Sequence, residues 1–266
     1  MALINKIIPF SCIDGPGNRT AIFFQGCNFK CTYCHNPETI NKCINCGKCV
    51  KTCPVNALEV INKKVIWNKD TCVDCDQCIR TCEHLSTPKV KDYSVDELFN
   101  EIKEIGPFIQ GITVSGGECT LNAHFLIELF KKVKSELNLT CFVDTNGSID
   151  LSEYEELVKH TDKFMIDVKS IDEYEHKKIT GCNNDIVLKN LKYLLDQDKL
   201  HEVRTVIAPN MNNESTVREI ARIVDNKCKI KLNTYRKYGV RKEGLELHGE
   251  ISPSKEEMQK YFDIIG

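Results

Sequence analysis

The chain has 266 residues, 41% of them hydrophobic and 28% charged, with a formal net charge of −2. That length holds one sizeable core, or one core with a small insert, and the near-neutral charge leaves no electrostatic footprint for nucleic acid. Sixteen cysteines, with no membrane-length apolar run and no signal-peptide layout, point to metal rather than disulfides and to a reducing, anaerobic cytoplasm.

In chain order, residues 20–24 are apolar and partly β-branched and predict a first buried strand. The turn Asp14-Gly15-Pro16-Gly17 precedes it. Directly after it comes Gly26-Cys27-Asn28-Phe29-Lys30-Cys31-Thr32-Tyr33-Cys34-His35-Asn36-Pro37, with cysteines spaced C-x3-C-x2-C. Three thiolates can hold three irons of a cubane [4Fe–4S] cluster and leave the fourth iron open for chemistry. A structural zinc or a pure electron-transfer cluster normally takes four protein ligands, so the missing fourth cysteine is informative. His35 is placed to hydrogen-bond and shield such a cluster rather than ligate it.

Cys43, Cys46, Cys49 and Cys53 form a second run, and Cys72, Cys75, Cys78 and Cys82 repeat it at a constant offset, an internal duplication. C-x2-C-x2-C-x3-C is the two-cluster ferredoxin spacing, in which the fourth cysteine of each run ligates the other cluster. The expected sets are Cys43, Cys46, Cys49 with Cys82, and Cys72, Cys75, Cys78 with Cys53. Pro54 follows the first run as that pattern has it; Glu83 replaces proline after the second. Two zinc knuckles are the competing reading, disfavoured by the crowding and the repeat. Val65-Ile66-Trp67, between the runs, is expected to pack over the clusters.

Beyond Pro88 strand and helix alternate. Val95, Leu98, Phe99, Ile102 and Ile105 mark one face of a helix with Ser94 as N-cap. Strands are predicted over 111–115, 139–143, 164–168, 202–207 and 228–232, and helices over 125–137, 154–160, 186–195, 217–224 and 258–264. With 20–24 these make six β-α units, which means a parallel sheet with covering helices. Without the insert about 215 residues remain, short of the ~250 of an eight-unit barrel. The expected fold is α/β: a partial (β/α)6 TIM-type barrel from residues 1–40 and 90–266. A ferredoxin-like domain with two [4Fe–4S] clusters, residues 41–89, interrupts it.

Parallel barrels collect function at the C-terminal ends of their strands. Here those ends carry Cys27, Gly116-Gly117-Glu118, Asp144-Thr145-Asn146-Gly147, Asp167 with Lys169, Arg204, and residues 233–238. Gly116 and Gly117 let a ligand approach the backbone, and Glu118 offers an acceptor to an ammonium. Asn146, Lys169 and Arg204 complete the candidate cofactor-binding set. The carboxylates of Asp144 and Asp167 suit a small cation; a hydrogen-bonded aspartate pair is the plainer alternative. Cys12, Cys119, Cys141, Cys182 and Cys228 read as small buried residues, Cys119 being nearest the site.

Ser11-Cys12-Ile13-Asp14-Gly15-Pro16-Gly17-Asn18-Arg19, Phe24-Gln25-Gly26-Cys27 and Cys34-His35-Asn36-Pro37-Glu38-Thr39 together resemble the glycyl-radical-enzyme activating enzymes. These are the pyruvate formate-lyase activase group of the radical S-adenosylmethionine (SAM) enzymes. Within that group the chain is most similar to the YjjW-type activases, which carry a ferredoxin-like insert. The resemblance implies the partial barrel and reductive cleavage of SAM to a 5'-deoxyadenosyl radical. That radical abstracts hydrogen from a glycine Cα of a partner glycyl radical enzyme. It also implies an electron donor such as flavodoxin or ferredoxin.

By the same resemblance, Gly116, Gly117 and Glu118 hold the SAM amino group and Tyr33 packs on adenine. Asp144, Thr145, Met165 and Asp167 surround a monovalent cation. Asp14, bordering the substrate entrance, is the candidate catalytic residue. Arg236 stands where the pyruvate formate-lyase activase carries a histidine, so no adenosine contact transfers to it. Two other readings compete: a radical SAM enzyme acting on a small molecule, and a three-cluster electron carrier that needs neither an open iron nor the Gly-Gly-Glu rim.

Overall fold

The computed structural model describes the whole chain, Met1–Gly266. Two antiparallel strands open it, β1 (Ala2–Ser11) and β2 (Arg19–Phe24). The cysteine-rich segment follows, with a hairpin of β3 (Leu58–Ile61) and β4 (Lys64–Trp67) and a short helix, α1 (Gln77–Thr81). The chain returns through β5 (Lys91–Tyr93) and α2 (Val95–Ile105). Next come β6 (Gly111–Gly116), α3 (Ala123–Leu137), β7 (Thr140–Thr145), α4 (Glu155–His160), β8 (Lys163–Asp167) and α5 (Glu173–Thr180). The remainder is α6 (Asp185–Asp196), β9 (Leu200–Ile207), α7 (Asn213–Val224), β10 (Lys229–Thr234), α8 (Lys242–His248) and α9 (Lys255–Ile265).

One sheet runs in the order β10-β9-β8-β7-β6-β2-β1-β5. Six of its strands, β2 and β6 to β10, are parallel neighbours. β10 and β5 form its two free edges, so the barrel is partial and open. The six β-α units expected from sequence are present, and each predicted strand and helix falls within a few residues of its observed place. β1, β5, the hairpin, α1, α5 and α8 are additions. β1 is a strand because Ala2 and Ile4 bury on one side while β2 and β5 satisfy its backbone.

Parity along the strands divides the sheet into two faces. Ile112, Val114, Cys141, Val143, Phe164, Ile166 and Val203 point outward and share one apolar core with Leu98, Phe99, Leu126, Phe130, Leu157 and Leu191 from the covering helices. A one-residue slip would turn that row inward, at about 2 kcal/mol for each large side chain exposed, so the core fixes the register. Helix α2 begins at the predicted cap, Ser94, in a reciprocal capping box with Glu97.

The opposite parity puts Thr113, Ser115, Phe142, Asp144, Met165, Asp167 and Arg204 on the inner face. The register sets Asp144 beside Met165 and Asp167 beside Arg204. Arg19 seals the N-terminal end of the barrel and is 1% exposed. Its guanidinium donates to Thr113 Oγ1 at 2.8 Å, Thr140 Oγ1 at 2.9 Å and Ile112 O at 2.6 Å. It also lies 4.1 Å over the Phe142 ring. Burial lowers it to about 10, since no carboxylate bonds it.

Candidate active site

The cysteine loop leaves the C-terminal end of β2 and is fixed by backbone bonds at its root. Gly26 N–H donates to Thr39 O at 2.8 Å and Cys27 N–H to Ile40 O at 2.9 Å. Further on, Lys30 and Thr32 N–H groups donate to Thr180 O and Ile179 O, at the end of α5. Cys27, Cys31 and Cys34 are free thiols. Phe29 N–H points at the Cys27 sulfur at 3.4 Å, and Asn146 Nδ2 at 3.7 Å. Burial pushes Cys27 and Cys31 up to about 12, so binding metal there releases protons. Three free thiols on one loop, sheltered and met by N–H donors, fit a cluster held by three cysteines.

Gly116 and Gly117 adjoin that loop. A Cβ on Gly116 would stand 2.2 Å from Phe24 N, and one on Gly117 would stand 2.3 Å from Gly26 O. The close approach these glycines permit is therefore to the root of the cysteine loop itself. Glu118 also differs from expectation. Its side chain is buried, and its carboxylate accepts from Thr120 N–H and hydroxyl, Thr145 hydroxyl and Asn146 N–H. Both oxygens are occupied, so Glu118 ties the end of β6 to the end of β7 rather than presenting a free acceptor to an ammonium.

On the inner face the charges are paired. Arg204 Nη1 donates to Asp144 Oδ2 at 2.8 Å, its Nη2 lies 2.9 Å from Met165 Sδ, and its Nε bonds Glu202. Lys169 Nζ donates to Asp167 Oδ2 at 2.7 Å. Burial raises Asp144 to about 6, opposed by Arg204 and reinforced by Asp167. Asp167, Asp144 and Tyr33 hold Arg204 and Lys169 firmly protonated against the pull of burial. At the expected monovalent-cation site these side chains are engaged with protein partners. Arg204 stands between Asp144 and Met165, Lys169 is paired with Asp167, and Thr145 turns its hydroxyl to Glu118. Glu202, which sequence reading passed over, carries no motif; only its place two residues before Arg204 on β9 singles it out.

Tyr33 is buried, with its hydroxyl unpartnered and Lys169 Nζ 5.9 Å from its ring centre. Asn146 also reaches Asn28 of the cysteine loop at 3.2 Å. Asp14 is not brought to this rim. It lies between β1 and β2 at the N-terminal end, where Ser11 Oγ donates to its carboxylate at 2.5 Å and Thr113 Oγ1 to its carbonyl. Cys119 is buried against Asp144 O as expected, while Cys12 is exposed.

In the cysteine-rich segment the duplication is visible in the backbone. Asn45 and Gly47 take left-handed φ, as do their equivalents Asp74 and Asp76. Two cavities sort the eight cysteines. One is lined by Cys43, Cys46, Cys49 and Cys82, the other by Cys53, Cys72, Cys75 and Cys78. Trp67 lines the second.

The family model of the radical SAM superfamily matches residues 21–224. The chain is 31% identical to a trans-4-hydroxy-L-proline dehydratase activating enzyme of Clostridioides difficile, over 98% of this chain and 96% of the relative. It is 33% identical to a (2S)-3-sulfopropanediol dehydratase activating enzyme of Klebsiella oxytoca, over 80% and 73%. A pyruvate formate-lyase-activating enzyme of Staphylococcus epidermidis is 29% identical, over 90% and 83%. Among solved structures, SuiB of Streptococcus suis bound to S-adenosylmethionine matches with a TM-score of 0.57 at 12% identity, over 91% of this chain and 44% of that one, a likeness of fold.

Proposed function

As the chain belongs to the radical SAM superfamily, we propose that it is a glycyl-radical-enzyme activating enzyme, as its relatives are named. The observation that carries this reading is the cysteine loop with three, not four, thiols at the C-terminal rim of a partial barrel. A [4Fe–4S] cluster on Cys27, Cys31 and Cys34 would supply the electron that splits SAM into methionine and a 5'-deoxyadenosyl radical. The radical takes one hydrogen atom from a glycine Cα of the partner, giving 5'-deoxyadenosine and a backbone glycyl radical.

The chain's own residues bind and orient. SAM carries an ammonium and a carboxylate, and the inner face offers two carboxylates and two cations. Asp144 and Asp167 would hold the ammonium of SAM, and Arg204 and Lys169 its carboxylate, since both kinds of charge are paired there already. Tyr33 packs on adenine and Asn146 closes the rim, while Glu118 fixes Gly116 and Gly117 from behind. Asp14 is kept as the candidate contact for the glycine segment of the partner on the strength of the family resemblance, and not as a contact for SAM.

Residues 41–89 form a ferredoxin-like domain with two further clusters, on Cys43, Cys46, Cys49 with Cys82 and on Cys53, Cys72, Cys75 with Cys78. The crossed lining of the two cavities supports that pairing. An electron from flavodoxin or ferredoxin would pass through them in a reducing cytoplasm. No helix is long and apolar enough to cross a membrane.

The test uses anaerobically reconstituted, dithionite-reduced protein with SAM, scored for 5'-deoxyadenosine. Production that Cys31→Ala abolishes supports the reading, and a glycyl radical signal on adding a candidate partner identifies the substrate. SAM turnover stimulated by a metabolite, with no protein partner able to accept the radical, would replace it with a small-molecule enzyme.

A further inference from the structure

Residues 235–249 cross the outside of the cysteine loop and touch its backbone and side chains at several points. Arg241 Nη2 donates to Lys30 O at 2.8 Å and Cys31 O at 3.1 Å. His35 Nε2 lies 3.0 Å from Arg236 O. Two glycines are required by contact alone: a Cβ on Gly239 would stand 2.1 Å from His35 O, and one on Gly244 would stand 1.9 Å from Thr32 O.

His248, at the end of α8, is 1% exposed. Its Nδ1 lies 2.9 Å from Pro209 O, which can only accept, so Nδ1 carries the proton. Its Nε2, 2.9 Å from Thr32 Oγ1, therefore accepts from that hydroxyl. The ring lies between two aromatics, its centre 5.5 Å from both Tyr33 and Tyr235. Tyr235 in turn donates to Gly249 O at 2.8 Å.

The loop holds little of itself: within it, the one close backbone bond is Cys34 N–H to Cys31 O at 3.1 Å. Its shape comes from α5 on one side and residues 235–249 on the other. We infer that this segment is a clamp that sets the cysteine loop, with His248 as the positioning residue for Thr32, between Cys31 and Cys34, and for the ring of Tyr33. The inference rests on the proposed cluster site and adds how that site is held in place.

The experiment uses the full chain with His248→Phe, which keeps a ring between the two tyrosines and removes both hydrogen bonds, and Thr32→Val, which removes the hydroxyl. Metal-free protein is alkylated with iodoacetamide and each cysteine is followed by mass spectrometry. Both variants should raise labelling of Cys31 and Cys34 several-fold, leave Cys46 and Cys75 unchanged, and combine without adding. After reconstitution, the KM for SAM should rise about tenfold in either variant, the scale of one hydrogen bond lost, with kcat within about twofold.

Gly244→Ala, which pushes the clamp off Thr32, should reproduce the labelling pattern if His248→Phe fails to fold. Unchanged labelling of Cys31 and Cys34, or a uniform rise across all cysteines, would overturn the clamp. SAM cleavage surviving in Cys31→Ala would instead overturn the cluster site, and the labelling of metal-free protein would still report on the clamp.

Discussion

Glu118 shows what a single residue does once its neighbours are in place. Four hydrogen bonds converge on a carboxylate that burial alone would push towards protonation. Glu118→Gln replaces one acceptor oxygen with a donor facing Asn146 N–H or the two threonine hydroxyls. It should cost about 2 kcal/mol in urea unfolding, with little left for direct loss of SAM affinity. A stable variant with a raised KM for SAM would restore the ammonium role. The Gly-Gly-Glu run was legible in sequence, but its role was not, because Thr120, Thr145 and Asn146 meet only across two strands. His176 belongs at this scale as well. It is fully buried, neither ring nitrogen has a partner, and burial lowers it to about 4. Between that value and the ordinary 6.5 the unfolded chain binds more protons than the folded one. Stability therefore rises with pH across that window and is lost as pH falls through it. His176→Leu should flatten the difference between urea melts at pH 5 and pH 7.

At the scale of elements, the strands and helices with strong periodicity were legible, while α5, α8 and β1 were not. In α5 only His176, Ile179 and Thr180 are buried, too few to show a 3.6-residue rhythm. β1 mixes exposed and buried positions because it pairs on both edges but packs on one face. These unread elements are the ones that hold the site: α5 supports the cysteine loop from one side and α8 from the other. Arg19, the last residue of the motif that leads into the first parallel strand, is an inter-element tie, joining β2 to β6 and β7. Arg19→Met would take away the donor that Arg19 gives to the Ile112 carbonyl and to the Thr113 and Thr140 hydroxyls. It should cost about 3 kcal/mol, read as a lower urea midpoint at unchanged slope. A shift under ~1 kcal/mol would mean that the floor is held by the outer core alone.

For the whole molecule, the question is how a segment with almost no core keeps its shape inside the first β-α connection. Its buried cluster is Cys49, Leu58 and Cys78, two of which are expected metal ligands. Residue for residue, that is far below what folds a domain of its size without staples. Its two entry points are better anchored: Asn41 N–H donates to Leu85 O, and β5 pairs with β1. The spacing of the cysteines was legible because ligand spacing is local, and the expected crossing of the runs came with it, since the two-cluster ferredoxin spacing carries that pattern. Crossed ligation gives an asymmetric outcome to a single substitution. Cys82→Ser should lower iron from about twelve to about eight per chain. In the protein as reconstituted it should expose Cys43, Cys46 and Cys49 to alkylation while Cys72, Cys75 and Cys78 stay protected. Uncrossed runs would reverse that pattern, since Cys82 would then share its cluster with its own three neighbours. Thr52 and Thr81, whose hydroxyls lie 3.2 Å apart, end their helical turns immediately before the fourth cysteine of each run. That contact brings the two ends together, so each fourth thiol lines the cavity of the opposite run.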